Sequence, residues 1–162
     1  MPDVEVTTTI AAGADVVYDL ITDVTRMGEW SPETTSCRWV NGDCASIGSR
    51  FRGTNRHRLA RWTTNCTVTA AEPGRRFAFD VTWGPWAISE WKYDIEPTED
   101  GCRVTESWTD RRTTGLRVGS PLVMGITDRA AHNRAGMEAT LKALMAAAES
   151  ALTGPKSRPA PN

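Results

Sequence analysis

Apolar positions at Val4, Val6, Thr8 and Ile10 alternate with Glu5, Thr7 and Thr9, the period of two expected of a half-buried strand. Between Ala14 and Val24 the period changes. Val17, Leu20, Ile21 and Val24 follow helical spacing, and Asp15 in the first turn complements the helix dipole. Gly28 and Pro32 close this region, with Met27 and Trp30 just after the helix. From there to Asp110 the alternation returns in six runs: Thr35–Val40, Ser49–His57, Arg61–Ala70, Arg76–Val81, Ile88–Glu96 and Arg103–Asp110. Turn signals at Asn41-Gly42-Asp43, Glu72-Pro73-Gly74, Trp83-Gly84-Pro85 and Pro97–Gly101 separate them, while Arg58-Leu59-Ala60 turns a hairpin without glycine. Six strands without an intervening helix make an antiparallel meander.

Ser120-Pro121 reads as the start of a long helix, with serine as N-cap and proline at the first helical position. Ile126, Ala130, Asn133, Met137, Leu141, Leu144, Ala148 and Ala151 form its stripe. Gly154 and Pro155 stop it, leaving 154–162 as an expected disordered tail after a single domain over 1–153. The class is α+β: a curved antiparallel sheet of about seven strands around a long C-terminal helix, with an enclosed space between them.

Composition narrows the options. A net charge of −1 argues against binding nucleic acid through bulk charge, and no apolar run approaches a membrane span. The N-terminus lacks the basic and apolar regions of a secretory signal, so a cytoplasmic protein is expected. Cys37, Cys44, Cys66 and Cys102 have no CxxC spacing, and His57 and His132 stand far apart, so neither disulfides nor metal are expected. No nucleotide-binding fingerprint is present and no cofactor is expected. Seven tryptophans are the unusual feature, since each must be buried or used.

Strand alternation points Cys37, Trp39, Phe51, Trp62, Thr64, Cys66, Val68, Phe77, Phe79, Val81, Trp91, Tyr93 and Ile95 toward the helix. Such a face makes either a solid core or the wall of a cavity. Val104, Glu106 and Trp108 share one side of the last strand, so a carboxylate enters this apolar space. A desolvated Glu106 would have a raised pKa and could move a proton, with Tyr93 able to hydrogen-bond to it or to a substrate carbonyl; the other reading is that Glu106 pairs with an arginine or lies near the open mouth of the sheet. Asn55 and His57 continue the register of Phe51, and Asn133 lies in the helix stripe. Arg50, Arg52, Arg56, Arg58 and Arg61 crowd one hairpin, as a solvated face or as a contact surface for a partner.

The ordered set of motifs resembles the START-like proteins of the SRPBCC superfamily, in particular the bacterial polyketide cyclase/dehydrase group. Ile10-Ala11-Ala12-Gly13-Ala14 leading into Val17-Tyr18-Asp19-Leu20 and on to Trp30 carries the likeness. So do Trp62, Glu72-Pro73-Gly74 with Phe77, Trp91-x-Tyr93-x-Ile95-Glu96-Pro97, Val104–Trp108 and Asn133 with Leu141–Leu144. It spans about residues 3–152, with Gly13 and Met27-Gly28 standing where the family usually has proline.

The resemblance implies a helix-grip (START/Bet v-like) fold with a hydrophobic cavity, but not a single activity. Trp30, Trp39, Phe51, Trp62, Phe77, Phe79, Trp91, Trp108, Asn133 and Met137 are the expected ligand contacts. The leading expectation is a monomer or homodimer that binds a hydrophobic or aromatic, lipid- or polyketide-like molecule. One alternative is a cyclase or dehydratase using Glu106 and Tyr93; another is a regulatory protein using the arginine-rich hairpin 50–61.

Overall fold

The computed structural model describes residues 1–153, with the side chains of all but 120–124 and 152–153. Seven strands form one antiparallel sheet: β1 (Val4–Ile10), β2 (Thr34–Asn41), β3 (Arg50–His57), β4 (Ala60–Glu72), β5 (Arg76–Trp83), β6 (Trp86–Thr98) and β7 (Gly101–Asp110). Their spatial order is β1-β7-β6-β5-β4-β3-β2. The meander is therefore continuous from β2 to β7, and β1 returns to pair with β7, Val6 opposite Glu106. Breaks in register between Thr34 and Ser36, Val68 and Ala70, and Val81 and Thr82 bend a sheet that would otherwise only twist.

Helix α1 (Ala14–Thr22), a 3-10 turn (Val24–Arg26) and the single turn α2 (Met27–Trp30) link the edge strands β1 and β2. The expected Ala14–Val24 helix thus stops at Thr22, and Val24 is buried from the 3-10 turn. In α1 the buried face is Val17, Tyr18 and Ile21, with Leu20 only partly covered.

The β3–β4 hairpin turns through Arg58-Leu59, with Arg58 at φ 52°, a left-handed conformation that glycine would adopt at less cost. At the β5–β6 turn a glycine does take that role: Gly84 has φ 56° between the paired Trp83 and Trp86.

The C-terminal region departs from the sequence reading. Ser120 and Pro121 do not open the long helix; they lie inside a separate helix, α3 (Thr114–Met124). Gly125, at φ 68°, breaks the chain, and α4 runs over Arg129–Thr153. Its N-cap is Asp128, whose Oδ1 accepts the Ala131 N–H at 2.9 Å. Ile126 is buried in the connection, whereas Ala130 and Ala151, both expected on the inner stripe, are exposed. The proposed tail, 154–162, lies outside the described residues.

The two halves of α4 meet different surroundings. Leu141, Leu144 and Ala148 pack into a solid core with Val17, Tyr18 and Ile21 of α1, Phe77 of β5 and Ile95 of β6. The preceding turns present Asn133, Gly136, Met137 and Thr140, and opposite these the space is open.

Candidate functional site

That opening is a cavity of about 880 Å³ between the sheet and the N-terminal half of α4. Aromatic side chains of period-two strands make its wall: Phe51 of β3, Trp62 of β4, Phe79 of β5, Trp91 of β6 and Trp108 of β7. Small groups keep it hollow. Gly53 sits between the Cys37 and Thr64 side chains, and a Cβ at Gly136 would meet only Pro32 Cγ, at 3.9 Å. Three of the aromatics expected at the site lie outside this wall. Phe77 is fully buried in the solid end, Trp30 is buried beyond the lining, and Trp39 packs edge-on behind Phe51 at 5.6 Å. The structure thus gathers Phe51, Trp62, Phe79, Trp91, Trp108, Asn133 and Met137 with Tyr93 and Glu106, and separates Trp30, Trp39 and Phe77 from them.

Glu106 and Tyr93 face each other across β6 and β7, directly opposite in register. The Tyr93 hydroxyl donates to Glu106 Oε1 at 2.7 Å, and both residues are buried. No arginine partners this acid, so the alternative of an ion pair at Glu106 does not hold among the described residues. Burial pushes the Glu106 carboxyl up to about 8, with the Tyr93 hydrogen bond opposing in part. Burial and the adjacent acid likewise hold the Tyr93 phenol well above its ordinary value. The phenol proton is committed to Glu106 rather than directed at a ligand. Two polar atoms of the lining lack hydrogen-bond partners among the described residues: Glu106 Oε2 and Asn133 Nδ2.

The end of the cavity near the β3–β4 hairpin carries a cluster that sequence reading did not identify. Arg129 at the start of α4 donates to both Glu33 oxygens, at 3.2 and 2.9 Å. His132 Nε2 lies 3.2 Å from Glu33 Oε1, and its ring meets His57 edge-on at 4.9 Å. The cluster ties the loop before β2, the end of β3 and the first turn of α4 together. His57 lines the cavity, in line with the register of Phe51 and not as the solvated turn residue that its place beside Arg56 and Arg58 also allowed. The i, i+3 spacing of Arg129 and His132 places both on one face of α4, but nothing local announced Glu33, 96 residues away from Arg129.

The remaining candidates are less chemically active. Cys37 and Cys66 line the cavity as thiols, Cys37 pushed up to about 11 by burial and Cys66 higher still. Arg50, Arg52, Arg56 and Arg58 are exposed on the alternate positions of their hairpin. Among the described residues, no three His, Cys, Asp or Glu side chains converge as a metal site would need, and no helix is long and apolar enough to cross a membrane.

A family model described as "Polyketide cyclase / dehydrase and lipid transport" matches residues 1–149. A solution structure of a polyketide-cyclase-like protein from Corynebacterium glutamicum is 33% identical, with 96% of each chain covered and a TM-score of 0.63. The di-domain ARO/CYC StfQ of the steffimycin biosynthetic pathway shares 14% identity at a TM-score of 0.72; the match covers 93% of this chain and 51% of StfQ. Major latex-like protein 151 from Panax ginseng is 12% identical, with 90% of this chain and 95% of that one covered, at a TM-score of 0.68. The last two similarities show the helix-grip fold alone. A search of curated proteins returns no match.

Proposed function

The chain belongs to the polyketide cyclase/dehydrase and lipid transport family, and from that premise we propose that it binds a hydrophobic or aromatic small molecule between the sheet and α4. The observation that carries this reading is the cavity of about 880 Å³, within the size range of small-molecule sites and lined mainly by aromatic and aliphatic side chains. Affinity comes from burying apolar ligand surface against Phe51, Trp62, Phe79, Trp91, Trp108 and Met137, while Asn133 and Glu106 supply orientation and Tyr93 holds Glu106 in place. The four unpaired cysteines fit a reducing compartment, and we place the protein in the cytoplasm.

Titration with the neutral fluorescent probe N-phenyl-1-naphthylamine tests the reading. Saturable emission enhancement at one probe per chain is expected, with quenching of tryptophan emission. No enhancement at any probe concentration would contradict it.

The Glu106–Tyr93 pair favours a second reading, a cyclase or dehydratase acting on a polyketide-like chain. An acid with a pKa about 8 exchanges a proton readily near neutrality, and the cavity would hold the chain in a reactive conformer. Glu106→Gln should then abolish turnover of a poly-β-ketone substrate while leaving its binding intact. Turnover that survives the substitution would remove Glu106 as the proton carrier.

A further inference from the structure

The polar groups of the cavity wall differ in how far the protein satisfies them. The Thr64 hydroxyl accepts from Asn55 Nδ2 at 3.3 Å. Arg129 is paired with Glu33 and Arg112 with Asp110, so these lining cations already answer to acids of the protein. Glu106 and Asn133 are different. Glu106 is 2% exposed, accepts one hydrogen bond from Tyr93, and keeps Oε2 without a partner among the described residues. Asn133 is 4% exposed, and its Nδ2 is buried without a hydrogen-bond partner among the described residues.

A buried carboxylate without a cation is costly, so Glu106 in this setting keeps its proton. Tyr93 already donates to Oε1, which leaves the acid proton to Oε2. The neighbours of Glu106 do not disturb this. Val6 faces it from β1 and Tyr93 from β6, and α4 contributes Asn133 and Met137 to the wall. Tyr93 is the titratable group among them, and it too is held in its neutral form. The unmatched groups at this end of the cavity are therefore donors: an acid O–H and an amide N–H.

We infer that the ligand is a neutral apolar molecule carrying a hydrogen-bond acceptor of the carbonyl class, which takes the proton-bearing face of Glu106, and that carboxylate anions are excluded from this end of the cavity. The inference rests on the binding function proposed above and specifies its ligand. A ketone, ester or amide oxygen completes a donor that the protein leaves unmet, whereas a hydrocarbon leaves it unmet. An anion would have to be desolvated beside an acid with no cation to balance it.

Displacement of N-phenyl-1-naphthylamine by three molecules of one shape tests this: 2-acetylnaphthalene, 2-ethylnaphthalene and 2-naphthoate. At about pH 6 the ketone should compete about five-fold better than the hydrocarbon, and the carboxylate about a hundred-fold worse than the ketone. At about pH 9 Glu106 becomes an acceptor only, and the ketone preference should fall to what the Asn133 amide alone supports. Glu106→Gln, which keeps an N–H donor, should hold the preference at both pH values. Glu106→Leu combined with Tyr93→Phe, which also removes the phenol donor that the leucine would set free, should bind the hydrocarbon and lose most of the preference.

A wild-type protein that binds ketone and hydrocarbon alike, or binds 2-naphthoate as well as the ketone, overturns the inference while the cavity reading stands. So does a Glu106→Leu, Tyr93→Phe protein that prefers the ketone as strongly as the wild type. If N-phenyl-1-naphthylamine itself does not bind, the binding function falls and the inference with it. Should either variant fail to fold, the wild-type comparison across pH decides alone.

Discussion

Glu106 joins the protonation of one side chain to the stability of the whole chain. Its carboxyl rises from 4.5 to about 8 on burial, so the folded state holds this proton more tightly than the unfolded state does. The associated stability is fully present below about pH 4.5 and is lost as pH rises through about 8, on the order of a few kcal/mol in all. Glu106→Gln copies the shape and donor of the acid form without its titration. The melting temperature of the wild-type protein should therefore fall between about pH 5 and about pH 9, with a shallower fall in the Gln variant. Parallel profiles would mean that Glu106 ionises freely in the folded state. Tyr93→Phe leaves Glu106 Oε1 without its donor, and should cost about 1–3 kcal/mol in denaturant unfolding. The placement of Glu106 was legible because Val104, Glu106 and Trp108 alternate with Arg103, Thr105 and Ser107. Its bond to Tyr93 was legible only as one of two uses for the phenol, because the choice depends on the register that sets the two residues opposite each other. The Glu33–Arg129–His132 cluster was hidden for a related reason: only the closed fold brings its members together.

At the level of elements, the strands were the readable part of the chain. Each of the six expected in the meander exists, shifted by at most a few residues at its ends, because period two and glycine-bearing turns are local signals. The start of α4 misled sequence reading. Ser120-Pro121 is a good helix opening in isolation, yet α3 is already under way at Thr114, and the break falls at Gly125 with Asp128 as the new cap. The inner stripe of α4 was half legible. Asn133, Met137, Leu141, Leu144 and Ala148 are buried, whereas Ala130 and Ala151 are exposed, since alanine satisfies either side of a helix. Gly136 is the element's informative residue. Glycine costs a helix interior about 0.5–1 kcal/mol relative to a good helix former, and here its missing side chain leaves the cavity open. Gly136→Leu should therefore raise the melting temperature by about 2–4 °C and at the same time weaken N-phenyl-1-naphthylamine binding at least ten-fold. A variant that is more stable and binds as before would place the ligand elsewhere.

For the whole molecule, the sheet grips α4 unevenly. One end is filled by α1, Phe77 and the leucines of α4; the other holds an open volume bounded by tryptophans and phenylalanines. The tryptophans sort accordingly. Trp62, Trp91 and Trp108 line the cavity, Trp83 joins the lining from the exposed turn where it stacks on Trp86 at 5.4 Å, and Trp30 and Trp39 pack outside it. Each indole N–H gives its own signal in a proton–nitrogen correlation spectrum, which makes the site readable residue by residue. The most direct measurement is to follow those signals while 2-acetylnaphthalene is added. The account predicts saturating shifts of the Trp62, Trp91 and Trp108 indoles, larger than any at Trp30, Trp39 or Trp86. Indoles that do not move, or shifts confined to Trp30, Trp39 and Trp86, would contradict a ligand between the sheet and α4.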